Sequence, residues 1–251
     1  MWRLQVKLKC ISSGSSEGNT YALISNSGEI LLLDLGASVK QIKIGLDFNV
    51  AGIVGAIATH LHKDHSQSVK QIENMGIRVM KPYNALCEHF QMFSGNFGNY
   101  RVTAFALDDK HCTTWQHTNT DGSECPIYGF FITHPELENP FIYATDCRCI
   151  KWNFKKQKPC AILLGVDYQE DMLDSDSEKY QHQLEGHMSI DTACAFVKAN
   201  DTECLHNIIL GHLSHDSSQG NDFIERMKKT CSCHITIAHK GMSDIELSLP
   251  F

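Results

Sequence analysis

The run Thr59-His60-Leu61-His62-Lys63-Asp64-His65-Ser66 constrains this chain more than any other stretch. Three histidines and an aspartate fall within six positions, directly behind an apolar segment, 52–59, that reads as a buried strand. His60 and His62 are two residues apart, so an extended backbone sends both imidazoles to the same side. Asp64 and His65 follow at the bend, where a second cation can be met. Imidazole nitrogen mixed with carboxylate oxygen suits zinc and similar first-row ions. The run marks a metal site at the end of a strand.

Other parts of the sequence repeat that arrangement. The apolar stretch 29–34 ends in Asp34, the stretch 141–145 runs into Asp146, and 208–211 hands the chain to His212. Strand ends of this kind converge on one edge of a sheet, where open α/β folds keep their sites. A charge at the end of a buried strand is costly unless paired, so Asp34 needs a partner, and a metal-ligating histidine is the natural one. Further strands are predicted over 1–11, 21–25, 77–80, 100–107, 127–134, 158–165 and 234–238. Helices are predicted over 38–48, 69–75, 84–92, 189–200 (with Ser189 as N-cap) and 222–230. The small-residue segment Ser12 to Asn19 is open to two readings: a plain hairpin turn, or a loop whose N–H groups face an anion or the metal site. Strands and helices alternate without linker or repeat, which predicts one α/β (α+β) domain with mixed sheets over residues 1–251.

Composition narrows the function. The formal charge is −7, and the only dense basic run is Lys151 to Lys158. A general polyanion binder needs a basic field to neutralise phosphates, so a long nucleic acid is not the first substrate to consider. No apolar run reaches the roughly 18 to 20 residues of a membrane span. The first residues alternate like a strand and lack a signal-peptide core, which places the expectation in the cytoplasm. The 11 cysteines are odd in number and scattered, as buried thiols are.

Leu33-Asp34-Leu35-Gly36, the H-x-H-x-D-H run, Ala144-Thr145-Asp146, Leu210-Gly211-His212-Leu213-Ser214 and Ala238-His239-Lys240-Gly241-Met242 together resemble the motifs of metallo-β-lactamase-fold hydrolases. The resemblance covers essentially the whole chain. It implies a four-layer αββα sandwich with two mixed sheets and a site for two divalent metal ions, zinc first and manganese as the alternative. Carried over residue by residue, it gives His60 and His62 to the first metal and Asp64 and His65 to the second. Asp146 would bridge them and His212 would complete the second. The remaining ligand of the first metal is His117 or His111. His117 is favoured, because it leads through a polar loop into the strand beginning near Tyr128, as in related phosphodiesterases.

The opening small-residue loop, Gly186-His187-Met188-Ser189 and Gly211-His212-Leu213-Ser214 resemble a small phosphodiesterase branch of that fold. The branch includes bacterial exonuclease-like proteins, the phosphodiesterase linked to carbon–phosphorus lyase, and phage anti-Pycsar proteins that destroy cyclic-nucleotide signals in the host cytoplasm. Glu185 and Ser217-Ser218 depart from the residues often found there. The resemblance implies hydrolysis of a small phosphodiester, 3′,5′-cyclic nucleotides first, by a homodimer. Asp64 would orient the attacking water or take its proton, and His215 or His239 would protonate the leaving group. His187 is expected beside the ligands, and Tyr168 either stacks on a base or packs in the core. Two other readings stay open: a nuclease contacting DNA or RNA through Lys151, Lys155, Lys156 and Lys158, and a thioester or lactone hydrolase, since one fold hosts several chemistries.

Overall fold

The computed structural model describes residues 5–14, 16–81, 92–107, 126–173, 176, 184, 186–213 and 220–247. Two mixed sheets stack face to face. The first contains β1 (Val6–Ser12), β2 (Thr20–Ser25), β3 (Ile30–Leu33), β4 (Ile53–Ile57), β5 (Val79–Met80) and β13 (Ile245–Glu246), in the order β13-β1-β2-β3-β4-β5. The second contains β6 (Met92–Phe97), β7 (Tyr100–Ala106), β8 (Tyr128–Thr133), β9 (Phe141–Ala144), β10 (Ala161–Gly165), β11 (Asn207–Gly211) and β12 (His234–Ile237), in the order β12-β11-β10-β9-β8-β7-β6. Neighbours from β3 to β5 and from β9 to β12 run parallel, and the other pairs are antiparallel. Helices α1 (Val39–Gly45), α2 (Lys63–Ser66) and α3 (Val69–Asn74) follow strands of the first sheet. Helices α4 (Ile190–Asn200) and α5 (Gly220–Lys228) follow strands of the second.

The continuous apolar runs of β3, β9, β10 and β11 are explained by burial on both faces. Successive side chains point to opposite sides. Leu31, Leu33, Tyr143, Leu163 and Ile209 therefore fill the space between the sheets. Ile30 and Leu32 turn outward against Ile42 of α1 and Ile72 of α3. Ile142, Leu164, Ile208 and Leu210 turn outward against Phe196 of α4 and Phe223 of α5. Each fully buried side chain of this kind contributes about 1.5–3 kcal/mol relative to exposure. Ser38 caps α1 in a reciprocal box with Gln41, and Ser189 caps α4 by accepting from Thr192 N. Among the described residues no helix is long and apolar enough to cross a membrane.

The sheets are also joined by charge at the end away from the strand-end ligands. Beyond β8, the Glu136 carboxylate accepts from Asn26 N at 2.7 Å and Ser27 N at 3.1 Å, in the β2–β3 turn. His134 faces Glu29 at 3.3 Å and accepts from Glu136 N at 3.1 Å. Two strands were not anticipated. The helix expected over 84–92 lies outside the described residues except for Met92, which begins β6. That strand is rich in Ser, Gly and Asn, residues poor in strand propensity, and is held by its hairpin pairing with β7. Two-residue β13 pairs only at Lys7 and Leu8, too short a run to show in the sequence.

Gly55 on β4 makes room for Phe97 of the opposite sheet. A Cβ there would lie 2.0 Å from the ring, and the Arg78 guanidinium lies over the ring, 4.1 Å from the centroid. Gly55→Ala is expected to lower unfolding free energy by about 1–3 kcal/mol through overpacking, read from the midpoint of urea denaturation.

Candidate metal centre

The site is built where strands of both sheets end. Asp34 follows β3, Asp146 lies two residues beyond β9, and His212 follows β11. All three take left-handed backbone, with φ of 55°, 53° and 59°. Asp and His tolerate that region better than most residues, yet it carries strain of order 1–3 kcal/mol each and clusters at functional sites. The turn aims each side chain across the sheet edge instead of along the strand. The histidine run comes from the end of β4 and is pinned by backbone. Leu35 N donates to His65 O and Asn19 N to Asp64 O, both at 2.7 Å, and Tyr128 N donates to Thr59 O at 2.9 Å. Gly36 is required by this packing, because a Cβ would sit 1.7 Å from Asp64 O.

Asp146 lies among the imidazoles. Its Oδ2 is 3.0 Å from His65 Nε2 and 3.6 Å from His60 Nε2, and its Oδ1 is 3.3 Å from His212 Nε2. Asp64 Oδ2 is 3.4 Å from His65 Nε2 and 3.5 Å from His212 Nε2. Ligand atoms of Asp64, His65, Asp146 and His212 all lie within 4.8 Å of one another. The His60 ring stands 4.3 Å from that of His65 and 4.8 Å from that of half-buried His62, centroid to centroid. Among the described residues, buried His212 Nε2 finds no well-directed hydrogen bond. Two carboxylates crowded against imidazole nitrogens, with a polar atom left unserved, fit divalent cations of the zinc type.

Buried groups orient these side chains. Asp34, fully buried, accepts from Thr59 N at 2.7 Å, Thr59 Oγ1 at 3.0 Å, His65 Nδ1 at 2.7 Å and the Tyr143 hydroxyl. That bond fixes Nδ1–H on His65 and turns Nε2 to the cluster. On the other side, Asp167 Oδ1 faces His212 Nδ1 at 3.6 Å, and the His187 ring stacks on His212 at 5.5 Å.

The local charge balance asks for positive charge. Burial alone pushes His65 down, but the Asp146 and Asp34 carboxylates outweigh it and hold the ring well above the usual imidazole range. Burial is likewise outweighed at His212, by Asp146, Asp167 and Asp64, and its pKa is pushed up to about 10. Burial raises Asp64, yet the His212 and His65 rings facing it leave it well below the usual carboxylate range. Protons supply the compensating charge in the metal-free chain, and bound cations would take their place.

The structure thus brings together His60, His62, Asp64, His65, Asp146 and His212, with Asp34 and His187 against them. His111, His117 and His215 lie outside the described residues. His239 is exposed, its Nδ1 donating to Lys240 O at 3.2 Å. Tyr168, expected either to stack on a base or to pack in the core, is 4% exposed, and its carbonyl accepts from Ile190 N. Four residues at the site went unrecognised: Asn19, Thr59, Tyr143 and Asp167. Asp167 follows the apolar β10 and carried the same strand-end signal as Asp146; the other three act through contacts that no local pattern announces.

These two sheets, flanking helices and strand-end ligands define the metallo-β-lactamase fold. Solved structures show the same architecture. YhfI from Bacillus subtilis, described as a metallo-β-lactamase-fold protein, superposes with a TM-score of 0.67 at 16% identity, over 96% of this chain and 99% of its own. Unliganded yeast PDE1 gives 0.65 at 10% identity, over 94% and 98%. The short form of human tRNase Z gives 0.60 at 15% identity, over 97% and 100%. No family model matches the chain. No curated protein matches its sequence either.

Removing the Asp34 carboxylate leaves buried donors unpaired and His65 unoriented. Asp34→Ala is expected to cost about 2–5 kcal/mol of stability and to weaken zinc affinity about 10–100-fold. Chemical denaturation and metal titration against a competing chelator check the two effects.

Proposed function

We propose that this protein is a divalent-metal-dependent phosphodiesterase acting on small phosphodiesters, with 3′,5′-cyclic nucleotides as the first substrate class. The observation that carries the reading is the cluster of His60, His62, Asp64, His65, Asp146 and His212 beside a cavity of about 590 Å³ that shares Asp64. Lys63, Lys240, Gln41 and Gln67 line that cavity with donor-bearing side chains, beside the carboxylates of Glu17 and Asp64. Such a lining suits a small anion.

Zinc or manganese ions held by those six residues would supply water activated at neutral pH and neutralise charge building on phosphoryl oxygens. The chain's own part is division of labour between two carboxylates. Asp146, with 3% of its side chain exposed, is enclosed by His60, His65 and His212 and serves to hold. Asp64, with 26% exposed, borders the cavity, so it is the group placed to orient the attacking water and take its proton. Lys63 and Lys240 draw the anionic substrate in; Lys240 is only loosely engaged, 3.8 Å from Glu17.

Neighbours of this fold include a tRNase and an isothiocyanate hydrolase, so the fold does not choose the substrate. A nuclease reading needs its basic patch near the metals. The run Lys151 to Lys158 instead precedes β10, whose opposite end points at the site, and Lys158 is paired with Glu203. That placement favours the small substrate.

Zinc- or manganese-loaded protein is expected to open 3′,5′-cyclic nucleotides, and Asp64→Ala to slow turnover about 10²-fold or more. A panel of cyclic nucleotides left intact by metal-replete protein would sink the reading. Chelation is expected to abolish turnover and to lower the thermal midpoint, because the cations bind the native state; calorimetric scans with and without chelator check the second effect.

A further inference from the structure

The first loop reaches the metal cluster through Asn19. This residue is fully buried and anchored on almost every polar atom. Its backbone N donates to Asp64 O at 2.7 Å, and its carbonyl accepts from Gly36 N at 2.9 Å and Thr20 Oγ1 at 2.7 Å. Its side-chain Oδ1 accepts from Gly14 N at 2.9 Å. That last bond settles the orientation of the amide: flipped, it would set an NH₂ group against a backbone N–H. The Nδ2 donor is therefore held 3.0 Å from His65 Nε2. This is the same nitrogen that faces Asp146 at 3.0 Å and Asp64 at 3.4 Å.

A histidine that ligates a cation is neutral and gives the metal its Nε2 lone pair. With a cation bound there, this ring offers the amide N–H no acceptor. A buried N–H left without an acceptor is costly, and the anchors prevent Asn19 from turning away. We propose that Asn19 is an oxyanion donor of this centre, its Nδ2–H hydrogen-bonding an oxygen of the phosphoryl group bound at the metals. The inference rests on the phosphodiesterase reading above and adds a residue to it. A rigid donor of this kind needs no reorganisation when charge develops on the oxygen, which is how preorganised donors lower a barrier.

Two variants separate this role from loop anchoring. Asn19→Asp keeps an oxygen for Gly14 N and all backbone bonds, and replaces the donor with a charged acceptor. Asn19→Ala removes donor and anchor without adding charge. Inorganic phosphate binding to zinc-loaded protein, measured by calorimetry alongside zinc content, is the readout. Both variants are expected to retain zinc and to bind phosphate at least tenfold more weakly than wild type, with turnover of a phosphodiester falling in kcat more than it rises in KM. Phosphate binding within twofold of wild type in either variant, with zinc retained, overturns the proposal, and the uncharged Asn19→Ala separates loss of the donor from added repulsion. Loss of zinc from both variants also overturns it, since Asn19 would then be supporting the ligands. Wild-type protein that holds zinc but binds no phosphate overturns the phosphodiesterase reading and this donor with it.

Discussion

Asp34 is a carboxylate with no access to water, and the rest of the site depends on how its charge is satisfied. Its four donors come from three residues: the backbone and hydroxyl of Thr59 beyond β4, the His65 ring in α2, and Tyr143 on β9 of the other sheet. Stripping any one of these away would leave an underserved buried charge. Position and protonation of His65 are thus fixed before any cation arrives. The same bonds fix the relative placement of the two sheets at this edge. A structural and a chemical requirement are met by one group.

The cost of the site is distributed. Asp34, Asp146 and His212 each accept left-handed backbone, and the carboxylates repel one another. Against this stand the apolar layers on either side of both sheets and the first loop, which acts as a strap. At one end of that loop Ser13 Oγ accepts from His212 N at 3.3 Å, and at the other Asn19 holds Asp64 and His65. The loop spans from the histidine at the end of β11 to the histidines beyond β4, across the seam between sheets.

Much of this was legible in the sequence, for a physical reason. A strand buried on both faces reads as an unbroken apolar run, and a ligand at its end stands out against it, so Asp34, Asp146, His212 and the His60–His65 run announce themselves. Residues whose function depends on partners distant in sequence stay silent. Asn19 reads as one polar residue in a small-residue loop, Thr59 as the end of a strand, Tyr143 as core. β6 went unseen because its pairing, rather than its composition, makes it a strand.

The cluster at the other end of the sandwich has a consequence for how the molecule yields. Glu136, His134 and Glu29 stitch β8 to the β2–β3 turn without any ion. Between that seam and the metal edge the sheets meet largely through apolar contact, with Arg78 over Phe97 at one side, and apolar contact resists separation more than sliding. The layers are therefore bound like pages glued along two opposite margins. Loss of cations would weaken one margin only, so the sheets would part from the histidine edge inward while the far edge stayed shut. Amides near Asp146 and His212 would then exchange with solvent well before those near Glu136.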